Sequence, residues 1–176
     1  MEKMYLEKGD YEALKKYCDN SLEKLHKQRK VSNTGCFYFD SIINYKAAVA
    51  ETFDIKFETK LMIPRDLKVE TEDICICLGN LLDNAIEAAM AVEQEKRYVH
   101  VESKFQEGRL LLSIKNSKPS GAGSYRQTSK KDKIKHGRGI RSVRKVAEKY
   151  GGELLLKDQG EHFEAVLLLN GIAKLE

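Results

Sequence analysis

The sequence has no apolar run near the ~20 residues that span a membrane as a helix. The longest runs, Ala165 to Leu169 among them, are five residues and have only strand length. The first ten residues, MEKMYLEKGD, lack the apolar core of a signal peptide. The four cysteines, Cys18, Cys36, Cys75 and Cys77, form no C-x-x-C pair. Cys75 and Cys77 are two apart and do not face each other on a helix. They are expected to be reduced, partly buried thiols, which argues against a disulfide framework or a structural zinc site and for a cytoplasmic chain. There is no P-loop lysine signature, and Ser142 stands where a dinucleotide fingerprint needs its third glycine. No internal repeat is visible.

Of the 176 residues, 41% are hydrophobic and 33% charged, so the chain is globular, too apolar to be wholly disordered. Its length suits one domain with a short appendage. Between Arg126 and Lys149 ten basic residues meet two acidic ones, Asp132 and Glu148, a local net charge of +8. The whole chain carries +4, which leaves −4 on the rest. A cationic segment on a mildly acidic body points to an anionic ligand at one place. Nucleic-acid-binding domains spread their charge over a whole face, so no nucleic-acid partner is expected.

Residues 10–30 lack glycine and proline and place Leu14, Tyr17, Cys18, Leu22 and Leu25 near helical spacing, predicting an amphipathic helix. Ser32 to Gly35 reads as a break. Cys36 to Phe53 predicts a second helix with Phe39, Ile42, Ile43, Ala47 and Ala50 on one side. Ile55 to Ile63 alternates as a strand, closed by Pro64. Thr71 is the expected N-cap of a helix running to about Val92, with Glu72 and Asp73 in its first turn. Arg97–Phe105 and Arg109–Lys115 predict a hairpin turning at Glu107-Gly108. Residues 117–136 show no apolar period, a long connection of the kind that serves as a lid. A helix follows from about Ile140 to Tyr150 and ends at Gly151-Gly152. Strands Glu153–Lys157 and Phe163–Leu169 close the chain. The predicted class is an α/β sandwich with helices on one sheet face.

The segment GNLLDNAIEAA, Gly79 to Ala89, is the most informative. At 100° per residue, Asn80, Asp83, Asn84 and Glu87 share an arc of about 100° beside a broad apolar face. Asparagine is roughly 0.6 kcal/mol worse than alanine in a helix, so a plain solvated face is a poor use of two of them. Short amides held on a rigid helix suit a polyphosphate or a metal: the oxygen can ligate Mg2+ and the NH2 can donate to phosphate. A second signal is His136-Gly137-Arg138-Gly139 before Ile140. Glycines there let backbone N–H groups approach an anion at a helix N-terminus.

In order and spacing these features resemble the GHKL ATPase superfamily, in its sensor histidine kinase branch. Gly79 to Ala89 is similar to the kinase N-box. HGRGIRSV, running on into KVAEKYGGEL, is similar to the second glycine box. Ser32-Asn-Thr-Gly35 with FDSIINYKAAVAE resembles the lead-in of kinases of the accessory-gene-regulator and LytS-like type. The resemblance covers about residues 10–170. It implies an ATP-binding catalytic domain of Bergerat fold, a mixed sheet with about three helices on one face, over residues 33–176. Residues 1–32 would be a partial dimerisation region lacking the phosphoacceptor helix. By the same resemblance Asn84 would coordinate Mg2+ on the ATP phosphates, and Asn80 would contact phosphate or metal-bound water. His136, Gly137, Arg138 and Gly139 would line the nucleotide, the two glycines letting the lid close. Its partners would be ATP, the phosphoacceptor His of the dimerisation domain and a cognate response regulator. The longer protein would be a homodimer anchored at the inner face of the cell membrane.

Two departures qualify the resemblance. The adenine-binding Asp of the D-x-G-x-G box is absent, and Asn116 stands at its place. A carboxamide can accept from the adenine amino group through its oxygen, without charge. None of His26, His100, His136 and His162 lies in a phosphoacceptor motif, so the chain is expected to be a fragment that transfers phosphate to a His elsewhere and cannot autophosphorylate alone. A hydrolytic GHKL ATPase uses a Glu one turn before the metal-binding Asn. Here that position is Asn80, which cannot act as a general base. The competing readings are such an ATPase and an ATP-independent module binding anionic partners.

Overall fold

Alternation decides which face of the sheet is covered. Along Arg109–Ser117 (β3), Leu110, Leu112, Ile114 and Asn116 are buried, while Leu111, Ser113 and Lys115 between them are not. That is the two-residue period of a strand with one face on a core. The computed structural model describes residues 30–121 and 132–172, with 132–137 as backbone only.

The elements in order are α1 (Phe37–Glu51), β1 (Lys56–Lys60), α2 (Thr71–Met90), a 3-10 turn (Gln94–Lys96), β2 (Tyr98–Gln106), β3, α3 (Asp132–Lys149), β4 (Glu153–Asp158) and β5 (His162–Leu169). The sheet order is β1-β2-β3-β5-β4. β1 runs parallel to β2, and the other pairs are antiparallel. Val101 pairs with Ile114, and Leu112 with Leu167, which brings buried side chains into cross-strand rows. The helices cover that face, and α2 packs against both α1 and α3. Leu78, Leu82, Leu112, Ile114 and Leu167 are almost wholly buried between the layers. This is the two-layer mixed-sheet sandwich expected from the sequence.

The hairpin turns where expected. Glu107 (φ 51°) and Gly108 (φ 72°) both take positive φ, as a two-residue type I′ connection requires. The Ser32–Gly35 break is an anchored turn. The Asp40 carboxylate accepts from the Thr34 and Gly35 N–H groups, each at 3.0 Å, and from the Ser32 and Thr34 hydroxyls. Asn44 Oδ1 accepts from the Val31 and Ser32 N–H groups. Burial pushes the Asp40 carboxyl up, but these bonds outweigh it and hold the group below its ordinary value.

Three expectations need correction. Thr71 is the first helical residue; Glu70 is the N-cap and makes no side-chain cap bond. β1 is shorter than Ile55–Ile63. The largest change is in α3, which starts at Asp132, about two turns before Ile140. His136, Gly137, Arg138 and Gly139 therefore lie inside the helix and do not open it. A helical glycine costs about 1 kcal/mol, too little to break a helix whose Ile140, Val143, Val146 and Ala147 are buried in the core. The predicted helix over 10–30 lies outside the described residues apart from Lys30, and so does much of the 117–136 connection.

Candidate functional site

The polar arc of α2 divides between its two neighbouring helices. On one flank Asp83 forms an ion pair with Lys46 of α1, N···O 2.5 Å. On the other, Asn80 lies against Gly139 of α3. A Cβ on Gly139 would stand 2.4 Å from Asn80 Oδ1 and 3.1 Å from its Cγ. Asn80 Nδ2 donates back to the Ile76 carbonyl at 2.7 Å, which fixes the amide along the helix.

Asn84 sits one turn further along. Its Nδ2 is buried and has no hydrogen-bond partner, alone in this respect among the described residues. A buried donor left unpaired costs about 1–3 kcal/mol, so its retention on a helix is itself an observation to explain. Glu87 is exposed at the end of the arc.

The remaining sequence-predicted residues are placed as follows. Asn116 is 1% exposed, on the helix-covered face near the end of β3. Its Nδ2 donates to the Ser117 carbonyl at 2.9 Å, so the amide oxygen is the atom it can offer a ligand. Arg138 is exposed, and Gly139 is half-buried. Of His136 and Gly137 only the helical backbone is described. The structure thus brings Asn80 and Gly139 together. Cys36 and Cys77 are buried and Cys75 is exposed, all three free. Burial pushes the Cys77 thiol up to about 12, which keeps it protonated and unreactive. Cys18 lies outside the described residues.

One cluster escaped the sequence reading. Asp73, assigned there to a helix-dipole role, is buried and accepts from Lys149 Nζ at 2.7 Å and from Tyr150 OH at 2.8 Å. Tyr150 OH in turn accepts from the Glu70 N–H at 3.0 Å. The Lys149 ammonium holds the Asp73 carboxyl below its ordinary value against burial, with help from Tyr150. The partners are 76 and 77 positions away, so no local pattern could have revealed them.

Residues 69–170 match the family model described as the GHKL domain, more than half of the chain. The chain belongs to the GHKL domain family. Solved structures agree on the fold of this GHKL chain. The catalytic domain of histidine kinase ThkA, nucleotide free, is 19% identical with a TM-score of 0.60, over 76% of this chain and 90% of that one. Histidine kinase AdeS of Acinetobacter baumannii is 16% identical with a TM-score of 0.56, over 76% of this chain and 62% of AdeS. Full-length ShkA in complex with AMPPNP is 14% identical with a TM-score of 0.58, over 78% of this chain and 30% of ShkA. No curated protein matches the chain.

Among the described residues no three His, Cys, Asp or Glu side chains are grouped to hold a metal ion. A hard cation here would take its remaining ligands from a bound anion and water, as Mg2+ at nucleotide sites does. The buried, unpartnered Asn84 Nδ2 is a donor suited to an anion oxygen, and only the oxygen of that amide could ligate a cation. No helix among the described residues is long and apolar enough to cross a membrane.

Proposed function

We propose that this chain is the ATP-binding catalytic domain of a two-component sensor histidine kinase of the accessory-gene-regulator type, acting in the cytoplasm. It binds Mg-ATP beside the α2–α3 pair and passes the γ-phosphoryl group to a histidine outside this chain, on the dimerisation region of a homodimer. A response regulator then takes the phosphate.

The observation that carries the reading is Asn84, whose amide nitrogen is buried and unpaired, on the helix that the GHKL match includes. Asn84 would hold Mg2+ through its amide oxygen, or a phosphate oxygen through its NH2. Bound there, Mg2+ supplies charge neutralisation across the phosphates, the main requirement of phosphoryl transfer. Asn80 would orient phosphate or water, and Asn116 would accept from the adenine amino group. Gly137 and Gly139, within α3, would let the lid close over the triphosphate, and Arg138 and His136 would line it. Asn80 has no basic group to activate water, which favours a phosphorylated side chain over hydrolysis.

Calorimetric titration of ATP and GTP, with Mg2+ and with chelator, tests the site. Mg2+-dependent ATP binding should be lost in Asn84→Ala. Binding indifferent to both chelator and substitution overturns the reading. Incubation with labelled ATP should leave the chain unlabelled, and an acid-labile label on it would place the acceptor inside.

A further inference from the structure

The clamp at the other end of the α2–α3 pair bears on this site. The two helices pack together, and α3 buries Ile140, Val143, Val146 and Ala147 in the apolar core. Apolar contact is non-directional, and a hydrogen bond or ion pair sets an axial position more narrowly. Among the described residues, directional bonds between the two helices are found at the Asp73 end. Asp73, with a side chain 10% exposed, receives Lys149 and Tyr150. Lys149 also reaches Glu70 at 2.9 Å.

The arrangement replaces an ordinary helix cap. Asp73 is the third residue of α2, where a carboxylate usually reaches back to the N-cap N–H. Here the Glu70 N–H goes to Tyr150 OH, and Asp73 holds that hydroxyl. The end of α2 is thus capped by the end of α3. Forming the cap requires α3 to stand at one axial position.

From Asp73 to Asn80 is roughly 10 Å along α2, and from Tyr150 back to Gly139 roughly 16 Å along α3. The two helices run antiparallel, so the clamp at one end and the Asn80–Gly139 contact at the other share a single register. At Gly139 there is little tolerance, because a Cβ would already overlap Asn80.

We propose that Asp73 and Tyr150 are positioning residues that fix the register of α3 on α2, so that Gly139 meets Asn80 and the nucleotide site is assembled. Only the last step rests on the nucleotide reading above; the register itself does not.

The test is a double-substitution cycle on the full chain with Tyr150→Phe and Gly139→Ala, read by urea unfolding and by fluorescent ATP-analogue titration. The two sites are more than 10 Å apart and share no partner, so a merely local role for Tyr150 predicts additive effects. Register control predicts that the effect of Gly139→Ala on the unfolding equilibrium changes about threefold or more when the clamp is cut, because a freed α3 can shift to accept the methyl group. Tyr150→Phe alone should also weaken nucleotide binding at a temperature where the variant is fully folded. Asp73→Asn, which keeps the shape, should do the same and serves if Tyr150→Phe folds poorly. Additive unfolding effects overturn the proposal. So does unchanged nucleotide affinity in both clamp variants. Coupled unfolding in a protein that binds no nucleotide supports the register device and defeats the nucleotide reading instead.

Discussion

Gly139 and Asn80 touch across the α2–α3 interface, so closely that a Cβ on the glycine would stand 2.4 Å from the asparagine Oδ1. Asn80 is not free to swing clear without cost, because its Nδ2 donates to the Ile76 carbonyl. The two features that the sequence reading took separately, a polar helix face and a glycine pair, are one contact in the fold.

Two helical glycines should therefore respond differently to alanine. Around Gly79 a Cβ would meet nothing within 4 Å. Gly79→Ala should raise stability by about 0.5–1 kcal/mol through helix propensity alone, seen as a higher urea midpoint with an unchanged slope. Gly139→Ala gains the same propensity but must displace the Asn80 amide and break its bond to Ile76. Its midpoint should rise less or fall. Equal gains at both positions would show that Asn80 does not hold Gly139.

Acid should loosen the domain through two hydrogen-bonded carboxylates, the half-buried Asp40 and the buried Asp73. The carboxyls of Asp40 and Asp73 both sit below their ordinary values, so the folded state favours their charged forms. Each contribution is complete above the unfolded value of about 4 and is lost as pH falls through it towards the folded value. Exposed pairs such as Lys96–Glu93 are screened by solvent and add little. Urea midpoints should hold between pH 6 and 5 and drop below pH 4. In Asp73→Asn the drop should be smaller, because Lys149 and Tyr150 then face a group that does not titrate. An acid profile in Asp73→Asn parallel to that of the unsubstituted chain would exclude Asp73 as an anchor.

The layers and strands were legible because burial writes itself into periodicity. Leu110, Leu112 and Ile114 alternate with exposed neighbours, and Glu107-Gly108 has the chemistry of its turn. The Asn80 and Asn84 arc was legible because asparagine is costly in a helix and so stands out. The start of α3 was not. His136 to Gly139 looks like a turn locally, and burial further along the helix outweighs two glycines. The Asp73–Tyr150 clamp joins residues 77 apart through tertiary packing, and nothing near either residue signals it.

Asn84 offers the last prediction, a trade between stability and binding. Its Nδ2 is buried without a partner, which costs the ligand-free protein about 1–3 kcal/mol, and asparagine itself is a poor helix former. Asn84→Ala removes both penalties, while the polar arc it leaves is bordered by Asn80, whose amide is held by Ile76. The variant should therefore melt several degrees higher than the unsubstituted chain when no nucleotide is present. With saturating Mg-ATP the order should narrow or reverse, because ligand stabilises only the protein that binds it. Thermal melts of both proteins, with and without Mg-ATP, read this directly. A ligand-free Asn84→Ala that melts lower would mean that the amide is satisfied in solution by ordered water, and that its burial carries no cost a ligand must relieve.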